Sequence, residues 1–270
     1  MERRLIVTAD DFGADIAVNA AVERAHRHGI LTAASLMVGG AAVEDAVALA
    51  RRLPDLGVGL HVVLADGAPV LPPEQVPALV GADGRFRDMV HIAFAIALSP
   101  AARRQMQAEV AAQFAAFAAT GLPLDHANAH KHFHLHPMIA AAILKAGRPY
   151  GLRAIRVPAQ PGTGLMAWWA RRLGRGWRAR GMITNDTVSG LAETGAFTTE
   201  RMAQAIAALP PGLTELYTHP ATADAYPGSA PGYLYRAELA ALTDPAVIAA
   251  LIASGARSGP FARFAPAEAA

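Results

Sequence analysis

The 270-residue chain contains no cysteine. Disulfides and thiolate metal ligands are therefore excluded together, and any bound metal must be held by histidine, aspartate or glutamate. Long apolar runs are also missing. The longest lies near residues 89–98, about half of what a membrane-spanning helix needs. The opening MERRLIVTADDFG offers only five apolar residues before two aspartates, too short for a signal peptide. A cytoplasmic protein is the expectation. Charge of one sign is scarce. With Lys+Arg at 24 and Asp+Glu at 22 the net charge is +2, so no global field marks a nucleic-acid binder, although the pI of 9.2 leans basic. Charged residues make up 17% and hydrophobic residues 53%, the balance of a globular chain rather than a disordered one. The length suits one large domain, residues 1–270, or two small ones, with ample core.

What the chain does have is histidine, concentrated in one place. Residues 124–137 read LDHANAHKHFHLHP and hold five of the ten histidines: His126, His130, His132, His134 and His136. In an extended run the last four would share one face. Packing alone gives no reason for four imidazoles in a row, whereas histidine is the commonest metal ligand and the usual acid–base group near neutral pH. A solvated polar strand end, or a loose metal-binding tract, is the plainer alternative.

Along the chain, apolar strand-like segments alternate with helical ones. Strands are expected at 5–9, 31–38, 57–64, 124–129, 152–157, 182–185 and 213–218. Helices are expected at Ile16–His28, 41–53, 101–119, 137–145, 165–180, 198–209, Tyr235–Leu242 and Pro245–Ser254, with a long Pro/Gly-rich loop at 65–87 and a short closing segment at 255–264. This order predicts an α/β fold with parallel strands in a single domain, either an open sheet or a (β/α) barrel. The polar candidates fall where such folds keep their sites. Asp10 and Asp11 end the first strand, His61 sits in the third, the histidine run follows the fourth, and His219 follows a late one. Asp10 and Asp11 are adjacent carboxylates at the end of an apolar run, which is unfavourable unless a cation or proton separates them. A helix cap does not need both, because Asp15 stands closer to the next helix.

One carboxylate and two histidines make a divalent-metal site with open positions, a second carboxylate can accept a proton from water, and a further histidine can donate one to a leaving group. That set performs metal-assisted amide or ester hydrolysis. The same two-His-one-carboxylate set binds iron in oxygenases, and a non-enzymatic metal carrier or sugar-binding module would use the histidine tract alone. Segment 165–180 is unusual in another way. It holds Trp168, Trp169 and Trp177 together with Arg171, Arg172, Arg175, Arg178 and Arg180, as a membrane-interface helix does. The alternative is a scaffold helix with core tryptophans and solvated arginines.

Four motifs, TADDFG, GLHVVLADGAP, HANAHKHFHLHP and YTHPA, keep one order over residues 5–221 and resemble the YdjC/ChbG-like carbohydrate deacetylases. The resemblance implies an irregular (β/α) TIM-like barrel and metal-dependent removal of the acetyl group from an N-acetylglucosamine-type sugar. It implies Asp11, His61 and His130 as metal ligands, Asp10 as general base and His219 as general acid. His132, His134, His136 and Arg156 would face substrate or support the ligands from behind. The ion would be zinc or magnesium, with manganese, cobalt or iron as alternatives. Where that family reads like HxDSHHHVH, this chain has Asn128, Ala129 and Lys131 at the Asp, Ser and middle His positions. The NAHKHFHLHP variant and the closing SGPFARF are similar to the hopanoid-biosynthesis-associated HpnK branch, which implies an N-acetylglucosaminyl hopanoid lipid as substrate. Soluble chito- or other N-acetylated oligosaccharides are the alternative. The partners expected are thus an N-acetylated sugar or glycolipid, peripheral membrane contact through 165–180 and no nucleic acid, with homodimerisation left open.

Overall fold

Strand formation begins with RRLIVTADDF, a run of apolar and β-branched residues that builds β1 (Arg3–Phe12). The computed structural model describes residues 2–159, 162 and 164–265. After β1 come α1 (Ile16–His28), β2 (Ala33–Leu36), α2 (Val43–Ala50), β3 (Gly57–Val62), α3 (Met89–Leu98), α4 (Pro100–Ala119), β4 (Ala127–Ala129) and α5 (Pro137–Gly147). The second half holds α6 (Leu165–Arg178), β5 (Thr187–Ser189), α7 (Thr199–Ala207), β6 (Gly212–Thr218), α8 (Tyr235–Leu242), α9 (Pro245–Ser254) and β7 (Arg257–Ser258).

The sheet runs β4-β3-β2-β1-β6-β5 with every pair parallel, and β7 adds to β1. Beyond β4 it continues only as parallel bridges, Ala127 with Ile155 and Ala154 with Ile183. Val188 of β5 donates to the Ala159 carbonyl, which brings the two ends of the curled sheet together. The result is an irregular single-domain (β/α) barrel with helices outside.

The strand register sorts the interior into levels. Ile6, Ala33, Ala154 and Leu213 meet at the N-terminal ends of the strands and are plugged by Phe261 and Phe264 from the closing segment. One level up, Thr8, Ser35, His126 and Glu215 face inward and hydrogen-bond to one another in pairs. The level above carries Asp10, His61 and Asn128 at the C-terminal ends, where barrels of this kind keep their chemistry. Gly59 makes the middle level possible, because a Cβ there would lie 2.5 Å from the His126 ring.

Several expectations are corrected. The histidine run is not extended. Residues His130–Leu135 form 3₁₀ turns, with Lys131 and His132 both at φ 53°, so the four imidazoles diverge instead of sharing a face. The left-handed pair turns the chain back over the barrel mouth, where Lys131 pairs with Asp66 of the long loop. The strand expected at 152–157 shrinks to bridges at Ala154 and Ile155, while β5 and α3 were not anticipated. The α3 sequence, MVHIAFAIAL, is apolar all round and has no helical period to read. The helix expected at 198–209 is capped by Thr198, whose side chain accepts from Arg201 N, so α7 proper begins at Thr199. In α6 the tryptophans do not share one exposed face. Trp177 is 3% exposed and stacks on His134, Trp169 donates its indole N–H to the Leu135 carbonyl, and only Trp168, at 48%, is open to solvent. Among the described residues no single helix is long and apolar enough to cross a membrane.

Candidate metal centre

The site starts from an irregularity in β1. Thr8 and Ala9 pair with Ala33 and Ala34, then the register slips before Phe12 meets Leu36. Inside the slip Asp11 adopts φ 61°. In a regular strand Asp11 would point away from the face that carries Asp10. The bulge re-aims it, as bulges beside active sites do. Asp15 caps α1 by accepting from Ala17 N, which leaves both aspartates free of that duty.

Asp11 Oδ1 lies 3.3 Å from His61 Nε2 and 3.3 Å from His130 Nδ1, and those two nitrogens are 3.4 Å apart. One ligand atom from each residue falls within 4.8 Å of the others. Asp11 Oδ1 is buried and makes no well-aligned hydrogen bond among the described residues. A buried carboxylate oxygen left in that state is costly unless something positive completes it. The electrostatics agree. Burial opposes charge on Asp11, yet His130 and then His61 hold its carboxyl well below the usual range. Burial likewise opposes charge on His61, yet Asp10 and Asp11 raise it above its ordinary value. Two imidazole nitrogens and one carboxylate oxygen suit a divalent ion, zinc above all, so these residues fit the metal the sequence implies.

Asp10 is held from the other side. Arg156 grips it with two bonds, Nη1 to Oδ2 at 2.6 Å and Nη2 to Oδ1 at 2.9 Å, and Asn128 Nδ2 donates to Oδ1 at 3.1 Å. Burial pushes this carboxyl up, but Arg156 and then His61 more than offset it and keep Asp10 ionised. Arg156 also donates to Glu215 Oε1 at 2.8 Å, and Glu215 accepts from Thr8. Arg156 is 0% exposed, with its guanidinium lying against Asp10 and Glu215.

His219 follows β6. Its ring lies between Tyr217 and Tyr233, at 5.5 and 5.0 Å, its backbone N–H donates to Glu238, and its Nδ1 is buried without a partner among the described residues. Burial pushes the Tyr233 hydroxyl up to about 12. His132 packs against Tyr217 at 5.0 Å, and burial followed by the Arg156 charge holds it neutral. The structure thus brings together Asp10, Asp11, His61 and His130, with His132 and His219 beside Tyr217. The other two imidazoles do not converge on this cluster. His134 is buried in the wall with Nε2 on the Arg156 carbonyl, and half-buried His136 precedes α5 beside Phe133. A cleft of about 490 Å³ opens over Asp11 and His130, walled by Val70, Tyr226, Asp66 and Arg85.

Among the polar groups of the interior that sequence reasoning missed are Ser35, Glu215, Glu238 and the orienting part played by Asn128. A glutamate inside the apolar LTELYT was the one available signal.

A profile of the YdjC-like protein family matches residues 4–253. The chain belongs to the YdjC-like family. A relative from Geobacillus stearothermophilus, described as "Carbohydrate deacetylase", is 32% identical over 258 residues, covering 94% of this chain and 95% of that one. Another of the same description, from Brevibacillus brevis, is 41% identical over 161 residues, 59% of this chain and 61% of that protein, so the match spans less than two thirds of its length. The mouse relative, also so described, is 35% identical over 167 residues, 61% of this chain and 54% of its own. Among solved structures, a protein from Enterococcus faecalis V583 superposes with a TM-score of 0.83 at 24% identity, covering 98% of this chain and 100% of that one. That likeness shows that the two chains share a fold.

Proposed function

We propose that this chain, residues 1–270 acting as one domain, is a carbohydrate N-deacetylase dependent on one divalent ion. The observation that carries the reading is the convergence of Asp11, His61 and His130 under a substrate-sized cleft, in a family whose relatives are described as carbohydrate deacetylases. Asp11, His61 and His130 would hold the ion. When bound, it supplies Lewis-acid polarisation of an acetamide carbonyl and a water of lowered pKa. Asp10, ionised and aimed by Arg156 and Asn128, accepts the proton of the attacking water. His219 delivers a proton to the departing amine, which leaves poorly until protonated. Glu238 anchors the His219 backbone, and the Tyr217 and Tyr233 rings confine its imidazole.

The finer reading is an N-acetylglucosaminyl hopanoid lipid deacetylated at the inner face of the membrane. It is supported by the resemblance of the NAHKHFHLHP run and closing SGPFARF to the HpnK branch, and by the outward face of α6, where Trp168, Arg172 and Arg175 are exposed. The test is acetate release from N-acetylglucosaminyl compounds with and without a lipid aglycone, repeated with Asp10→Asn. We expect release, preferentially from the lipid-bearing compound, and a fall of roughly 10²- to 10⁴-fold in kcat for Asp10→Asn with the metal retained. No release from any compound overturns the deacetylase reading. Equal release from short soluble sugars removes the lipid part alone.

A further inference from the structure

A chain of buried hydrogen bonds runs from the candidate metal ligand His61 down through the barrel to the closing segment, and its polarity can be assigned from both ends. At the upper end, the Asn128 side chain faces three groups. Its Nδ2 lies 3.1 Å from Asp10 Oδ1 and 2.8 Å from Ser35 Oγ, and its Oδ1 lies 2.7 Å from His61 Nδ1. Asp10 accepts from the Arg156 guanidinium through both of its oxygens, so Oδ1 is an acceptor and the amide nitrogen of Asn128 must be the atom facing it. The amide oxygen is then turned to His61 and can only accept, so His61 Nδ1 must carry the hydrogen. In the neutral ring this leaves the lone pair on Nε2, the atom that faces Asp11 and His130 at 3.3 and 3.4 Å.

The lower end gives the same answer independently. Asp125 receives N–H groups from Phe261 and Ala262 at 3.2 and 2.8 Å, and His126 Nδ1 lies 2.9 Å from its Oδ2. A carboxylate so placed accepts, which puts a His126 hydrogen on Nδ1 and, in the neutral ring, leaves Nε2 as an acceptor. Ser35 Oγ, 3.0 Å from that nitrogen, spends its one hydrogen there. It can then only accept from Asn128, which is the orientation that Asp10 imposed. Reversing the Asn128 amide would set its oxygen against the Asp10 carboxylate and leave Ser35 with no hydrogen to offer it. The whole chain is enclosed. Asn128, His126 and Ser35 are all buried, the His126 ring fits only because residue 59 is glycine, and Phe261 stacks on it at 4.8 Å.

We propose that Asn128 is a positioning residue that locks His61 in the tautomer with hydrogen on Nδ1 and its Nε2 lone pair aimed into the metal centre, and that Ser35, His126 and Asp125 hold Asn128 in the orientation that does so. One side chain thereby sets two groups of the site, His61 through its oxygen and Asp10 through its nitrogen. The proposal rests on His61 being a ligand, and the test separates the two ideas.

The experiment uses the full-length chain with histidine labelled by ¹⁵N, stripped of metal and held at alkaline pH where the ring is neutral, together with Zn²⁺ titrations by competition against a chelator. In wild type the His61 signals, assigned by their loss in His61→Ala, are expected to show a protonated Nδ1 and an unprotonated Nε2. Asn128→Leu, similar in size and unable to accept, is expected to mix the tautomers and weaken Zn²⁺ binding by 10- to 100-fold, the range seen when an outer partner of a ligating histidine is lost. Asn128→Asp, which keeps an acceptor for His61 Nδ1, is expected to keep the wild-type tautomer and to bind Zn²⁺ more tightly than Asn128→Leu. If Asn128→Leu does not fold, Asn128→Ala takes its place with the same expectation. A folded Asn128→Leu or Asn128→Ala with the wild-type His61 spectrum and wild-type Zn²⁺ affinity overturns the proposal, even if its melting temperature falls, because Asn128 would then be packing alone. If His61→Ala binds Zn²⁺ as wild type does, the ligand reading itself fails, which is a separate outcome.

Discussion

Asp11 shows how much of this site depends on single residues. Its left-handed backbone at φ 61° costs on the order of 1 kcal/mol or more for a non-glycine residue, and it persists because it turns a carboxylate toward two histidines. Arg156 shows the complementary case of a charge that is fully enclosed and fully engaged, with Asp10 on one side and Glu215 on the other. Replacing it by Arg156→Leu leaves two buried carboxylates without their cation, so equilibrium urea unfolding at neutral pH should show a loss of about 3–5 kcal/mol. A loss near zero would mean that solvent reaches Asp10 and Glu215 directly. His134 makes a prediction about pH. Burial, then the Arg156 charge, lowers it from its ordinary value to about 3, and its Nε2 serves the Arg156 carbonyl in the neutral form. The folded-state pKa lies below the unfolded one, so as pH drops below about 6.5 the unfolded chain takes up a proton that the native chain refuses, and stability falls. Between pH 7 and pH 5 this amounts to about 2 kcal/mol for one group. His134→Gln keeps a donor for the carbonyl and cannot titrate. Its unfolding free energy should therefore drop less than that of wild type over this interval, and parallel losses would count against His134.

At the scale of elements, the sequence revealed what periodicity and capping encode. The α1, α8 and α9 boundaries were legible because Asp15, Pro245 and the apolar spacing mark them, and the strand ends carrying Asp10, His61 and His219 were legible because each polar residue interrupts or closes an apolar run. The 3₁₀ turns at His130–Leu135 were not, since alternation of histidines imitates a strand and nothing local announces two left-handed residues in succession. For α6 the composition was informative but the facing was not, because only packing decides which tryptophan is covered. Trp177 lies in the wall and Trp169 is tied to Leu135, whereas Leu165, Trp168, Arg172 and Arg175 remain exposed. An indole at a polar–apolar boundary with arginines on the same exposed side suits an anionic lipid surface, each charge adding on the order of 1 kcal/mol near the leaflet. Co-sedimentation with anionic liposomes should be measurable, should weaken as salt screens the arginines, and should drop several-fold in Trp168→Ala, Arg172→Glu, Arg175→Glu, which should still act on a short soluble sugar. If wild type ignores such liposomes at low salt, α6 is scaffold only.

Across the whole molecule, the parallel strand–helix order left an open sheet and a barrel both standing and put the polar candidates at strand ends, and it was the family resemblance that implied the barrel and named the ligand set among them. Of the polar interior beneath it, only Arg156 was expected, through the resemblance, to face substrate or support the ligands. Ser35, His126, Glu215 and Arg156 sit in separate strands or strand-like segments, and no local pattern says that they will meet inside one barrel. The architecture also implies how the site couples to stability. Asp11, His61 and His130 come from β1, from β3 and from the turn after β4, so an ion held by all three joins segments far apart in the sequence. Such an ion would bind the native barrel and not the dispersed ligands of the unfolded chain, and mass action would then add about 2.7 kcal/mol at a free ion concentration one hundred times Kd. For a domain of this size that corresponds to a rise of roughly 5–10 °C in melting temperature. Chelation should lower the Tm of the purified protein by this order, and Zn²⁺ should restore it. Asp11→Asn keeps the shape of the side chain but removes its charge, and its Tm should respond only weakly to either treatment. A wild-type Tm indifferent to Zn²⁺, or an Asp11→Asn variant that responds fully, would place any stabilising ion somewhere other than these three residues.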